Sequence, residues 1–274
     1  MVSSVEAFQL SFEAAEVYER KFVPALFGEW APPLVEAARV APGNSVLDVA
    51  CGTGVVARAA ADRLAGQGRV VGLDLNEGML AVARRLRQDI EWQHGDATDL
   101  PFPTASFDVV LCQAALMFFP DRAKALREMA RVVIPGGTVA IQVWASLESQ
   151  SGYGAFIDVA ARHAGPEAID LLSAYWVLGD LDLLAALLEA APLETTSTQT
   201  RVGTARFDSI DELVKTEVES TPLIHRISDQ VYENILEDSR VALKSFTTED
   251  GRAEVPIVGH LMTARKAADT PAVK

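Results

Sequence analysis

The chain alternates short apolar runs with longer Ala-rich or amphipathic stretches, and glycine or proline marks many of the changes. In Val46-Leu47-Asp48-Val49, three apolar residues surround one acid, and the run predicts a short buried strand. Small residues follow, with Gly52 and Gly54 a residue apart, and they predict a tight turn that lets backbone approach a ligand. VVARAAADRL over 55–64 then has no Pro or Gly and suits a helix. The same order recurs downstream. Strands are expected at 70–74 (VVGLD), 90–94 (IEWQH), 107–113 (FDVVLCQ) and 138–144 (TVAIQVW), with helices over 76–86 and 121–132. The unbroken Val109-Val110-Leu111 is what a parallel strand covered on both faces shows. Pro135-Gly136-Gly137 predicts a turn before the fifth strand. Five strands separated by helices predict an α/β fold with a doubly wound parallel sheet.

The flanks read differently. Residues 1–10 predict a loose start, and a helix is expected over 13–27, bent or restarted at Pro24. Pro32 and Pro33 open a second helix that runs to Arg39, and 42–44 (PGN) is a turn. Beyond Ala145 helices are expected near 152–163, 166–175 and 180–190. The polar, Thr-rich 195–201 suits an edge strand. Helices follow over 208–219 and 229–246, each with an Asp near its start as a cap, and 255–266 is a final strand. No repeat, low-complexity tract or clear linker interrupts the chain, so residues 1–274 are expected to form a single domain.

The glycine turn can be tested against the dinucleotide fingerprint G-x-G-x-x-G/A. With Ala50 and Gly52 as its first two small positions, the third falls on Val55, and the last glycine comes one place early at Gly54. The companion acid is better placed: Asp74 ends the second predicted strand, 20 residues after Gly54, where a carboxylate that accepts ribose hydroxyls is expected. The pattern predicts a nucleoside with a free ribose and gives no clear sign of a pyrophosphate.

Composition narrows the partners. The chain has 274 residues and a formal net charge of −14, which argues against nucleic acid and against an anionic membrane surface. Cys51 and Cys112 lack metal-ligand spacing, no metal site is expected, and two cysteines in a chain of this length suggest a reducing compartment. The first 20 residues carry no basic n-region and no apolar h-region, and the apolar run from Val109 to Phe119 is short for a bilayer span. A cytoplasmic protein without membrane insertion is expected.

VLDVACGTG, VVGLDLNEGML, GDATDLPF, SFDVVLCQ and RVVIPGG stand in an order and spacing that resemble the class I S-adenosylmethionine (SAM)-dependent methyltransferases. The closest subgroup is the one holding ubiquinone/menaquinone-biosynthesis methyltransferases and many small-molecule methyltransferases. The resemblance covers about residues 14–145 as a SAM-binding core. It implies a Rossmann-like sheet of seven strands with the last antiparallel, completed by strands near 193–206 and 254–266. Residues 146–250 would be a variable helical region covering the acceptor. It implies that Asp48 and the backbone at Ala50, Gly52 and Gly54 hold the methionine part of SAM, and that Asp74 accepts both ribose hydroxyls. Leu75 and Met79 would pack on the adenine, Asp96 and the Ala97 N–H would bind its edge, Gln113 would lie near the methionine end, and Tyr18 would close over the cofactor. Read alone, Asp96 also suits a turn and Met79 a helix core.

Methyl transfer from a sulfonium needs alignment and exclusion of water more than a base. No catalytic motif is present, and Gln113-Ala114-Ala115-Leu116 stands where amino-methylases of DNA bases or protein glutamine carry Asn/Asp-Pro-Pro-Tyr. His225, in TPLIHRI, is the candidate base, with a solvated loop histidine as the alternative. Met117, Phe118, Phe119, Trp144, Tyr175 and Trp176 suggest a small apolar or aromatic acceptor, methylated on oxygen or nitrogen in preference to carbon or sulfur. A SAM-binding sensor or partner subunit without catalysis and, more remotely, a nicotinamide-dependent oxidoreductase are the competing readings. A homodimer is compatible with all three.

Overall fold

The computed structural model describes residues 11–267; the loose start expected at 1–10 lies outside them. Seven strands form one sheet in the order β3-β2-β1-β4-β5-β7-β6, six parallel and the last in sequence antiparallel. They are β1 (Ser45–Val49), β2 (Arg69–Asp74), β3 (Glu91–His94), β4 (Phe107–Gln113), β5 (Val133–Trp144), β6 (Leu193–Phe207) and β7 (Ala253–Lys266). The resemblance predicted this sheet, including the two late strands. β1 lies between β2 and β4, so Val46, Leu47 and Val49 are fully buried, as the apolar run required.

Contacts divide the chain into two compact units. One comprises the described residues of Met1–Val143, Leu181–Gln199 and His260–Lys274; the other is Trp144–Asp180 with Thr200–Gly259.

In the first unit, α1 (Phe12–Val17) opens on Ser11, whose Oγ accepts the Ala14 N–H. The expected helix over 13–27 changes character at Tyr18: Tyr18–Phe27 is a π-helix, and the Gly28 N–H bonds the Val23 carbonyl five residues back. The wider coil gives the Pro24 ring room that α geometry denies. α2 (Ala31–Ala37), α3 (Val55–Leu64), α4 (Glu77–Leu86) and α5 (Arg122–Val132) follow. Pro135-Gly136-Gly137 does not end a loop before β5 but bulges out within it. Phe107 pairs with Val133 and Val109 with Thr138, so β5 carries three extra residues at that point, and Gly136 has φ +79°.

In the second unit, α6 (Ser151–Ala164) packs on α7 (Glu167–Leu172), while α10 (Asp229–Ala242) packs on α6 and α9 (Ile210–Glu219). (α8, Leu181–Glu189, belongs to the first unit.) The expected Asp caps are corrected to serines. Ser209 Oγ accepts the Glu212 N–H and Ser228 Oγ the Val231 N–H, while Asp211 and Asp229 lie in the first turns, where the helix dipole favours acids. The buried Gln150 amide binds the Ala145 carbonyl and both backbone groups of Val258, extending the strand edge with a side chain. No helix of the described residues is long and apolar enough to cross a membrane.

One contact across the sheet positions the glycine turn. Asp48, Gly72 and Trp92 stand in register on β1, β2 and β3 and share a face. The Trp92 ring crosses the space where Gly72 lacks a side chain and reaches Gly54; a Cβ on Gly72 would lie 2.4 Å from it, and one on Gly54 2.2 Å. The indole N–H is fixed by the Arg87 carbonyl at 2.8 Å. Gly72→Ala is expected to destabilise the protein by ~2–3 kcal/mol in urea unfolding. In the Trp92→Leu background the same change should cost distinctly less, because the clashing ring is gone.

Candidate cofactor site

The turn after β1 is built on alternating backbone signs: Ala50, Gly52 and Gly54 have φ of 55°, 55° and 86°. Two of these positions suit glycine; Ala50 holds a left-handed conformation at a cost of ~1–2 kcal/mol. The turn's N–H groups point inward. Cys51 N–H bonds the Leu73 carbonyl at 3.0 Å, Gly54 N–H the Cys51 carbonyl at 2.8 Å, and Gly52 N–H the Asp74 carboxylate at 2.7 Å.

Asp48 closes the end of α3. Its Oδ2 accepts the Ala57 N–H at 2.9 Å, and the residue is 1% exposed. Ala57 is in the first turn of α3, where a dinucleotide fold receives pyrophosphate. A buried carboxyl in that place takes one of the donors that a pyrophosphate would use. This geometry weighs against the nicotinamide reading. The Asp48 side chain, which the resemblance places at the methionine part of SAM, here holds the first turn of α3 through Oδ2.

Asp74 ends β2 with both oxygens engaged. Oδ2 takes the Gly52 N–H at 2.7 Å and Oδ1 the Asn76 N–H at 2.8 Å. Burial raises its pKa from the ordinary carboxylate value, and these backbone bonds oppose the rise. Each oxygen keeps a second lone pair, so the group can still accept two hydroxyls. Asn76 is the N-cap of α4, accepting the Met79 N–H at 2.9 Å. Leu75 and Met79 beside it are part-buried.

The next strand end lies alongside. Gly95 N–H bonds the Asp74 carbonyl at 3.0 Å, which brings the Gly95-Asp96-Ala97 loop next to Asp74. Asp96 is exposed and its Oδ1 accepts the Thr98 N–H at 2.7 Å, so it does make the turn; Ala97 is buried. His94 contacts the Leu75 carbonyl through Nε2 at 3.0 Å.

The π-helix reaches the turn from the other side. A Cβ on Gly52 would lie 3.9 Å from the Tyr18 ring and hydroxyl. Tyr18 stacks between Phe22 and Phe27, with ring centroids 5.7 and 5.5 Å away. Two anchors hold this segment: Gln113 Nε2 donates to the Phe27 carbonyl at 3.0 Å, and Arg58 joins Glu19 at 2.8 Å while donating to the Thr53 carbonyl at 2.7 Å. The Gln113 side chain is therefore turned to the π-helix, and its Oε1 is buried without a hydrogen-bond partner. Tyr18, Ala50, Gly52, Gly54, Asp74, Leu75, Asp96 and Ala97 are thus gathered around the ends of β1, β2 and β3.

His225 ends an exposed 3₁₀ turn (Pro222–His225) in the second unit, and among the described residues no carboxylate pairs with it. Trp92, Arg58 and the Phe27 carbonyl position the turn and its cover, and the sequence reading did not single them out. Only the Gly54/Gly72 pair could have signalled a large ring nearby. Cys51 and Cys112 are free and buried, and burial pushes both thiols well up.

Residues 47–141 match the model of the methyltransferase domain family. Over this segment the chain is similar to methyltransferase domains. A demethylmenaquinone methyltransferase of Listeria welshimeri is 40% identical over 117 residues, which are 41% of this chain and 50% of that protein. The chain thus spans about half the length of the curated relatives it matches. Among solved structures, the YcgJ protein of Bacillus subtilis has a TM-score of 0.59 at 20% identity, covering 87% of this chain and 99% of that one. Phosphoethanolamine N-methyltransferase 2 of Haemonchus contortus was solved with phosphomonomethylethanolamine and S-adenosylhomocysteine. It has a TM-score of 0.60 at 18% identity, covering 97% of this chain and 61% of that one. At these identities the structures show the fold alone.

Asp48 carries an electrostatic cost that unfolding measurements can read. Burial pushes its carboxyl up from 3.8 to about 8. The folded state holds this proton where the unfolded chain has released it, so stability present below about pH 4 is lost as pH rises towards about 8. At ~1.4 kcal/mol per unit, the full loss is on the order of 5 kcal/mol. Asp48→Asn keeps an oxygen for the Ala57 N–H and removes the titration. Thermal unfolding across this range should show a flatter profile for the variant than for the wild type.

Proposed function

We propose that this chain is a SAM-dependent methyltransferase acting on a small acceptor with an apolar or aromatic body, by in-line displacement on oxygen or nitrogen. The observation that carries the reading is the Asp74 carboxylate. It is held between two backbone donors, beside a turn whose Cys51, Gly52 and Gly54 N–H groups are engaged, and next to part-buried Leu75 and Met79. That set suits a ribose and a flat base.

SAM fits these residues. When bound, it supplies a methyl group already activated by a positively charged sulfur. Asp74 would accept the ribose hydroxyls, Leu75 and Met79 would cover the adenine, and Asp96 with the Ala97 N–H would take its edge. The Ala50–Gly54 turn would lie against the methionine part, and Tyr18 would shield it from water. An ionised Asp74 favours a cationic ligand electrostatically over an anionic one. The demethylmenaquinone methyltransferase likeness supports methyl transfer as the chemistry, and the aromatic side chains after β4 and β5 support a small organic acceptor. These residues need only hold and align the acceptor, and a base is required only where the acceptor must lose a proton.

Calorimetry with S-adenosylhomocysteine (SAH) tests the cofactor assignment. The wild type should bind at micromolar levels, and Asp74→Asn should lose ~1.5–3 kcal/mol, as for hydrogen bonds to a charged group. No binding by a folded wild type would remove the reading. SAH release from SAM with an acceptor panel then separates the enzyme from a non-catalytic binder.

A further inference from the structure

α9 carries an acid in its apolar stripe. Ile210, Leu213, Val214 and Val218 are buried on one face, and Glu217 takes the position between them that the helical repeat assigns to the core. Its exposure is 7%. A carboxyl in that place normally has a cationic partner. None of the ion pairs among the described residues includes Glu217, and the Tyr153 hydroxyl is a polar neighbour of it. That hydroxyl lies beside the carboxyl without a hydrogen bond of normal geometry.

The surroundings are aromatic. Trp176 stands at the centre, with ring centroids 5.1 Å from Tyr153, 6.3 Å from Tyr175 and 6.3 Å from Trp144, all at tilts of 56–57°. Tyr175 also senses the Glu217 charge. Two further polar atoms in this neighbourhood, Trp176 Nε1 and Ser173 Oγ, are buried without a hydrogen-bond partner. All of these residues belong to the second unit. An aromatic cluster that reaches a buried acid through Tyr153 and Tyr175 offers the chemistry that recognises an organic cation: rings can replace its hydration and a carboxylate can balance its charge.

We propose that Glu217, with Trp144, Tyr153, Tyr175 and Trp176, forms a binding site for a small organic ammonium ion. The inference goes beyond the methyl-transfer reading and does not require it. Burial pushes the Glu217 carboxyl up to about 7. The titratable groups that face it are the Tyr153 and Tyr175 phenols, both raised by burial and neutral in this range. The site should therefore gain affinity as pH rises and the carboxyl ionises.

The test is titration of the full chain with tetramethylammonium chloride, read by calorimetry against sodium chloride at equal ionic strength and against tert-butanol as a neutral mimic. Saturable binding specific to the cation is expected, weaker by ~10-fold or more in Glu217→Gln. In the wild type alone, affinity should rise several-fold between about pH 6 and about pH 8; this readout stands even if the variant does not fold. Absence of saturable binding, equal binding of tert-butanol, or affinity unaffected by both pH and the substitution would overturn the proposal and show a neutral acid buried for packing. SAH is titrated separately on the same sample. SAH binding without ammonium binding overturns this inference alone. Ammonium binding without SAH binding upholds it while the methyl-transfer reading falls.

Discussion

The Asp74 carboxylate ties together the turn after β1 and the start of α4. One oxygen holds Gly52 in the turn after β1, and the other holds Asn76 at the cap of α4. With the Gly95 N–H on its carbonyl, three strand ends converge on a single residue. A charge held this way is costly to bury, and the backbone donors offset part of that cost. The rest is strain that a ligand offering hydroxyl donors would relieve. The turn, the cap and the loop after β3 are thus organised before any ligand arrives, which is what a tight and selective nucleoside site needs.

Asp48 changes the character of the helix end that follows the turn. Helix N-termini attract anions, and α3 would be an anion site if its first turn were open. The Asp48 carboxyl occupies the Ala57 donor from inside the core. Trp92 then fills the face between β1 and β3, where Gly72 leaves room, and seals the turn from that side. The strand-turn-helix unit here thus differs from a pyrophosphate-binding one by one acid and one ring.

Much of this was legible in the sequence because it is local. The VLDVACGTG strand and turn, the spacing to Asp74 and the unbroken Val109-Val110-Leu111 each encode their structure within about 20 residues. What escaped has a different cause. Pro135-Gly136-Gly137 has turn composition, yet hydrogen bonds on both sides of it keep β5 continuous, and only the partner strand shows that three residues bulge. Pro24 suggests a bend, but a change of helical pitch accommodates it. The serine caps lost to the aspartates in the reading because both residue types cap well, and a one-residue offset decides between them. Trp92 and Arg58 act through partners 38 and 39 residues away, on Gly54 and Glu19, which no periodicity reports.

Glu217 marks the boundary between these two kinds of information. Its anomaly is written in the local pattern, since the stripe of Ile210, Leu213, Val214 and Val218 puts an acid where an apolar residue belongs. Its meaning is not, because the rings around it come from β5, α6 and the turn before Leu178. A buried carboxyl without a cationic partner costs several kcal/mol unless it stays protonated or receives a charge from outside. A leucine would pack the same position at no such cost. The cofactor end of the chain is made of backbone turns and one acid, so a pattern of glycines reveals it. A site made of side chains from separate elements reveals itself only where one residue violates the pattern of its own helix, and Glu217 is such a residue.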